Sequence, residues 1–133
     1  MALKYSTTAR NNKLGSLNTD IGTSCKIRIY SGSRPANVGT AISGQTLLAE
    51  LTGNASGFGT TSGGVLTASA ISSASASAGG TASFFRIFKS DGTTAVVDGD
   101  VGTSGSDLNL NNTSIASGQT VSISSFTITD NNG

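Results

Sequence analysis

The stretch that most limits the fold is Thr81-Ala82-Ser83-Phe84-Phe85-Arg86-Ile87-Phe88-Lys89, followed at once by Ser90-Asp91-Gly92-Thr93 and then Thr94-Ala95-Val96-Val97. Aromatic and β-branched residues at this density fit a pleated, partly buried surface rather than a helix. Asp-Gly between two apolar runs tolerates the positive φ angles of a two-residue type I′ turn. A central hairpin is therefore expected, with Lys89 opposite Thr94, Phe88 opposite Ala95, Ile87 opposite Val96 and Arg86 opposite Val97. On that register Phe85, Ile87 and Val96 share one face. Phe84, Arg86 and Phe88 take the other, and a face mixing aromatics with a cation is expected to be half covered or to meet another subunit.

The flanking sequence builds outward from this hairpin. Residues 1 to 6 read as an extended arm, ordered only where something holds it down. Leu14, Leu17 and Ile21 recur at helical spacing, so a short helix is expected, capped by Thr7 or Thr8 and stopped by Gly22. Gly15 weakens it by ~1 kcal/mol relative to Ala. Cys25-Lys26-Ile27-Arg28-Ile29-Tyr30 alternates as a half-buried strand with Cys25 on the apolar face. Pro35 then holds an extended loop towards Ala41. Residues 46 to 52 form the next strand, with Leu47, Ala49 and Leu51 inward. Residues 53 to 64 read as loop anchored by Phe58, and Val65-Leu66-Thr67-Ala68 with Ile71 as a short strand.

Residues 72 to 80 hold only Ser, Ala and Gly. Such a run buries too little apolar area to offset its ordering entropy, so it is a flexible loop unless stacked as a small-residue strand. Residues 99 to 107 are a second polar loop, and Leu108-Asn109-Leu110 alternates briefly. In the last strand, 120 to 129, the apolar phase changes between Ile123 and Phe126, and a β-bulge at Ser124-Ser125 repairs it. The expected fold is all-β: an antiparallel β-sandwich or jelly-roll-like barrel of about six to eight strands with a short N-terminal helix and arm. It forms one domain over residues 7 to 133 behind the arm at 1 to 6.

Composition narrows the chemistry. Eight Lys and Arg against seven Asp and Glu leave a net charge of +1, and charged residues make up 11% of the chain, against about 25% in ordinary soluble domains. The surface is polar through Ser, Thr, Asn and Gly, and no basic stripe exists to neutralise several phosphates, so nucleic acid is not an expected partner. No long apolar run or signal-peptide core is visible, so no membrane partner is expected either and synthesis in a host cytoplasm is the reading. The absence of histidine removes the commonest general base and metal ligand, and a single cysteine, Cys25, closes zinc and Cys-His chemistry. Cys25 reads as a small buried apolar residue.

A carboxylate site is the one piece of chemistry left. Asp98-Gly99-Asp100, with Asp91 and Asp107 nearby in sequence, is a candidate for calcium, and ordinary Asx-turn chemistry is the stronger reading. Glycosidase or lectin function lacks aromatic platforms, with no Trp and 5% aromatics. Gly57-Phe58-Gly59 matches no phosphate loop. No enzymatic function and no cofactor are expected. Tyr5 and Arg10, read as lying on the arm, either anchor to a neighbour or belong to a disordered tail. Arg34 and the other scattered cations are solvated or interface side chains.

Several stretches resemble a group of small virion proteins encoded among the structural genes of tailed bacteriophages and prophages. They are Met-Ala-Leu-Lys-Tyr-Ser-Thr-Thr-Ala-Arg at 1 to 10, Arg28-Ile29-Tyr30 with Arg34-Pro35-Ala36, and Gln45-Thr46-Leu47-Leu48-Ala49. Phe85-Arg86-Ile87-Phe88-Lys89-Ser90-Asp91-Gly92-Thr93-Thr94-Ala95-Val96, Asp107-Leu108-Asn109-Leu110-Asn111 and Ser125-Phe126-Thr127-Ile128-Thr129 complete the set. The chain departs from the group in its Gly and Ser insertions at 53 to 64 and 72 to 80. The resemblance implies a virion component. Within a virion, a small and nearly uncharged β-module with an arm suits a capsid cement or decoration protein. It would self-associate as a homotrimer and bridge neighbouring copies of the major capsid protein. The alternative is a neck or tail component that contacts the host. The expected interface residues are Tyr5, Arg10, Arg34, Phe84, Arg86 and Phe88.

Overall fold

The computed structural model describes residues 3 to 130; residues 1 and 2 of the expected arm, and 131 to 133, lie outside that range. One helix, α1 (Thr7–Ile21), precedes twelve strands: β1 (Lys26–Ser31), β2 (Thr46–Thr52), β3 (Gly59–Ser62), β4 (Val65–Ala68), β5 (Ala74–Ser75), β6 (Gly80–Thr81), β7 (Phe84–Phe88), β8 (Ala95–Gly102), β9 (Leu108–Leu110), β10 (Ser114–Ile115), β11 (Thr120–Val121) and β12 (Ile123–Thr129). Eight of them form one sheet in the order β2-β1-β7-β8-β9-β12-β4-β3. It curls into a half-barrel, so the all-β, barrel-like expectation holds. The sheet is mixed rather than purely antiparallel, because β8 and β9 run parallel.

The concave side encloses one core. Ile27 and Ile29 of β1, Leu48 and Leu51 of β2, Phe85 and Ile87 of β7, Leu66, Leu108, Leu110 and Phe126 all meet there. Phe126 is wedged edge-on between Phe58 and Phe85, with ring centroids 5.3 and 5.0 Å away. Cys25 is fully buried in this core, as its phase requires, and burial pushes its thiol pKa up.

Helix α1 packs on β3 and β4 and contributes Leu14 and Ile21 to the core, with Leu17 packed against it. Its N-cap is Ser6, not Thr7 or Thr8: Ser6 is extended (φ −64°, ψ 159°) and its Oγ accepts from Ala9 N at 3.1 Å. Gly22, at φ 75°, ends the helix by donating to Asn18 O, as expected. The helix also closes an edge. Asn18 donates its side-chain amide to Gly59 O and accepts from Gly59 N, both at 3.0 Å, and Asn11 Oδ1 accepts from Gly64 N at 2.9 Å. An asparagine amide thus replaces the missing neighbour strand at the start of β3. That strand lies inside the segment expected to be loop.

Three bulges adjust the sheet. The one at Ser124 is where the phase change in the last strand puts it. A second, opposite Ile29 and Tyr30, makes Leu48 the extra residue of β2 and buries it beside Ala49. The third makes Val96 the extra residue of β8, so Ile87 faces Val97 and Arg86 faces Asp98, while Phe88 faces Ala95 as expected.

The hairpin turn differs accordingly. Lys89 N donates to Thr94 O across a four-residue loop, and Gly92 N donates to Lys89 O. A type I′ turn needs positive φ at both central residues; Gly92 has φ 73°, whereas Asp91 does not. Asp91 instead gathers the loop with its carboxylate, Oδ1 accepting from Thr93 N and Thr94 N at 2.9 Å and Oδ2 from Thr94 Oγ1 at 2.6 Å. The segment from 72 to 80 is docked rather than loose. β5 pairs with β11 and β6 with β10, Ala76 is buried, and Ser77 N donates to Leu48 O of the edge strand β2. Finally, β8 runs on to Gly102, through residues expected to begin a polar loop.

Candidate functional site

Alternation along β1, β7 and β8 sends Ile27, Ile29, Phe85 and Ile87 to the core and leaves Arg28, Tyr30, Phe84, Arg86, Phe88 and Asp98 on the convex face. The ladders set four charges in one row: Glu50 opposite Arg28, Arg28 opposite Arg86, Arg86 opposite Asp98. Two arginines facing each other directly repel. Each is drawn to the carboxylate on its far side, Arg28 Nε to Glu50 Oε2 at 2.6 Å and Arg86 Nε to Asp98 Oδ1 at 2.6 Å. Aromatic rings fill the flanks. Tyr30 stacks on Phe84 with centroids 5.1 Å apart, and the Arg28 guanidinium lies over Phe88 at 4.4 Å.

Residues 33 to 43 fold over this face as an Ω-shaped loop. Gln45 closes its neck, donating to Ser33 O at 2.6 Å and accepting from Ser43 N at 2.8 Å. Arg86 clamps its crown, with Nη1 donating to Thr40 O at 2.7 Å and Nη2 to Asn37 O at 3.2 Å. Nη2 also donates to Asp98 Oδ2 at 2.9 Å, completing a bidentate pair. The Arg86 and Asp98 side chains are 3% and 7% exposed. The hydrogen bonds that Arg86 donates to Asp98 hold the Arg86 pKa above its ordinary value although burial pulls it down. Burial raises the Tyr30 phenol, with the neighbouring Arg28 guanidinium acting the other way.

Between loop and sheet lies an open groove of about 500 Å³. Val38, Gly39, Thr40, Ala41 and Ile42 line one wall; Arg28, Tyr30, Phe88, Thr93 and Ala95 line the other. It offers aliphatic and aromatic surface together with the guanidinium groups of Arg28 and Arg86, a lining suited to receiving an extended segment of protein.

The expected site residues divide into two groups. Arg86 and Phe88 line the groove and Phe84 lies stacked on Tyr30 beside it, but the β7 part of the convex face is not half covered: all five residues of β7 are buried, Phe85 and Ile87 in the core and Arg86 beneath the chain's own loop. Arg34 stands at the loop's rim, paired with Asp100 at 3.3 Å and exposed. Tyr5 and Arg10 lie elsewhere. Tyr5 is 39% exposed on the arm, beneath the Lys13 ammonium at 4.0 Å. Arg10 belongs to α1 rather than the arm, its guanidinium donating to Asp130 O at 3.5 Å and to Thr7 Oγ1 at 3.3 Å.

The Asp98-Gly99-Asp100 motif serves packing. Asp98 is engaged by Arg86, Asp100 by Arg34, and Gly99 lies under the Phe85 ring so closely that a Cβ there would come within 2.5 Å of it. Among the described residues, no three of Cys, Asp and Glu are grouped to hold a metal ion. The sequence reading missed Arg28, Tyr30 and the carbonyls of the loop. The signal for the first two was present, since the alternation that buries Ile27 and Ile29 places Arg28 and Tyr30 on the face shared with Arg86. Comparison with protein-family models, with curated proteins and with solved structures finds no match for this chain.

Proposed function

We propose that this chain is a structural component of a tailed-bacteriophage virion, a cement or decoration protein that stabilises the head by bridging neighbouring copies of the major capsid protein. The carrying observation is the placement of exposed apolar side chains. Among the described residues, Leu3 (65% exposed) and Tyr5 (39%) are the exposed large hydrophobics, and both sit on the arm ahead of α1. The arm springs from a fixed base, because α1 is tied to the body through Lys13 to Asp130 at 3.0 Å and through Asn11 and Asn18. Such an arm gains by burial on a neighbour, at roughly 25 cal/mol per Å² of apolar area. The low charge of the surface allows close seating on a shell. The sequence resemblance to phage virion proteins points the same way.

Cement acts by contact area spread over many joints. Quantitative mass spectrometry of purified particles is expected to find on the order of hundreds of copies, the multiplicity of a shell lattice. Particles lacking the protein are expected to lose DNA at a lower temperature while still adsorbing to the host. A dozen or so copies per particle, with head stability unchanged and adsorption lost, would instead make it a neck or tail component.

A further inference from the structure

We infer that the groove beneath the 33 to 43 loop receives the arm of a second copy of this chain, with Leu3 and Tyr5 as the side chains that fill it. The inference rests on the self-association contained in the cement reading and adds which surfaces meet. Leu3 and Tyr5 are two positions apart, and the arm leading into extended Ser6 is not helical. Drawn out as an extended segment on binding, the arm would carry Leu3 and Tyr5 on one edge and Lys4 on the other, because residues i and i+2 of an extended chain point the same way. The groove, at about 500 Å³, carries aliphatic and aromatic side chains able to receive that edge, beside the polar Arg28 and Arg86. It falls within the range of roughly 300 to 1,000 Å³ typical of binding clefts. Val38, Ala41, Ile42 and Ala95 provide aliphatic walls, Phe88 an aromatic one, and Arg28 a donor for the backbone of an incoming strand.

The arm does not reach the groove of its own chain. α1 packs on β3 and β4, at the end of the strand order away from β1, β7 and β8, and its apolar side belongs to the concave core. The groove is on the convex face. Residues 3 to 5 span about 11 Å at most, whereas three strand spacings of about 4.8 Å separate β4 from β8 and the sheet itself stands between. Each copy therefore gives an arm from one surface and takes one at another. That is a heterologous contact, which closes into a ring when the rotation between copies allows.

Two variants test the contact, Leu3→Cys and Ile42→Cys, each keeping the fully buried native Cys25. Mixed under mild oxidation, they are expected to give a disulfide-linked pair with one chain of each kind, identified by the mass of the linked peptides. Failure to link, or linkage of Leu3→Cys only to itself, overturns the inference. Sedimentation separates the two levels of the claim. Wild-type chain is expected to associate and the Leu3→Ser/Tyr5→Ser variant to remain monomeric, with its circular dichroism unchanged because neither side chain belongs to the hydrophobic core. If the variant associates as the wild type does, the arm is not the contact although copies still associate. If the wild type is itself monomeric, self-association fails together with the inference, and particle copy number alone then decides the cement role.

Discussion

Arg86 is the residue on which the convex face depends. A buried guanidinium is tolerated only when its charge is matched and its N–H groups are satisfied. Here Asp98 supplies the charge, and two loop carbonyls take further donors. Removing one partner leaves the other buried and uncompensated, so Arg86→Ala is expected to cost about 3 to 5 kcal/mol. It should also release the loop. Urea unfolding reads the first effect, and limited proteolysis within residues 33 to 43 the second. Arg86→Lys tests the geometry, because a lysine keeps the charge but cannot make the bidentate pair and reach Asn37 O and Thr40 O together. A lysine variant as stable and as protease-resistant as wild type would refute the clamp. Asp91 makes a different residue-scale prediction. Its carboxylate accepts from the Thr94 hydroxyl and from two backbone N–H groups, which holds its pKa well below the ordinary carboxylate range. A depressed carboxylate contributes stability that is complete above its unfolded pKa of about 3.9 and disappears as pH falls through the folded value. The turn should therefore stay closed at pH 4 and open only in stronger acid. A carboxyl-carbon NMR titration in which Asp91 has an ordinary midpoint would contradict this.

The elements show which parts of the fold local sequence could specify. β1 was legible because Cys25, Ile27 and Ile29 alternate without interruption, and the bulge in β12 because Ser125 falls where an apolar residue is due. The bulges in β2 and β8 left no such trace. Leu47-Leu48 and Ala95-Val96-Val97 are consecutive apolar residues, so either phase satisfies the pattern and packing in three dimensions chooses between them. β3, Gly59-Thr60-Thr61-Ser62, contains no large apolar residue and forms because β4 pairs it on one side and α1 caps it on the other. The candidate groove was half legible for a similar reason. Its sheet wall is written in the alternation, whereas its loop wall depends on carbonyls that any sequence carries and only the fold aims at Arg86. The capped edge can be tested directly. Asn18→Ala leaves the N–H and C=O of Gly59 without their partner, which is expected to destabilise by about 1 to 3 kcal/mol. It also uncovers an open strand edge that is expected to promote association between sheets. Thermal unfolding together with light scattering checks both effects, and Asn18→Asp, which keeps only the acceptor, should fall between Ala and wild type.

At the scale of the whole molecule the decisive property is how little charge the surface carries. Four ion pairs among the described residues engage half of the eight Lys and Arg, and one of those pairs is buried. What the molecule presents is a Ser-, Thr- and Gly-rich coat with an apolar arm, so its contacts must draw on buried area and hydrogen bonds. These respond to solvent differently from charge. Raising NaCl shortens the screening length from about 10 Å at 0.1 M towards about 3 Å at 1 M; contacts made by patches of opposite charge then weaken steeply, whereas apolar burial does not. Sulfate strengthens burial and urea weakens it. If the chain is the cement proposed above, particles washed in concentrated NaCl are therefore expected to keep their full complement of it, and to lose it in urea below the concentration that unfolds the free protein. Release by NaCl alone would mean that charge on the partner holds the chain in place, and would remove the arm and the groove from the centre of its action.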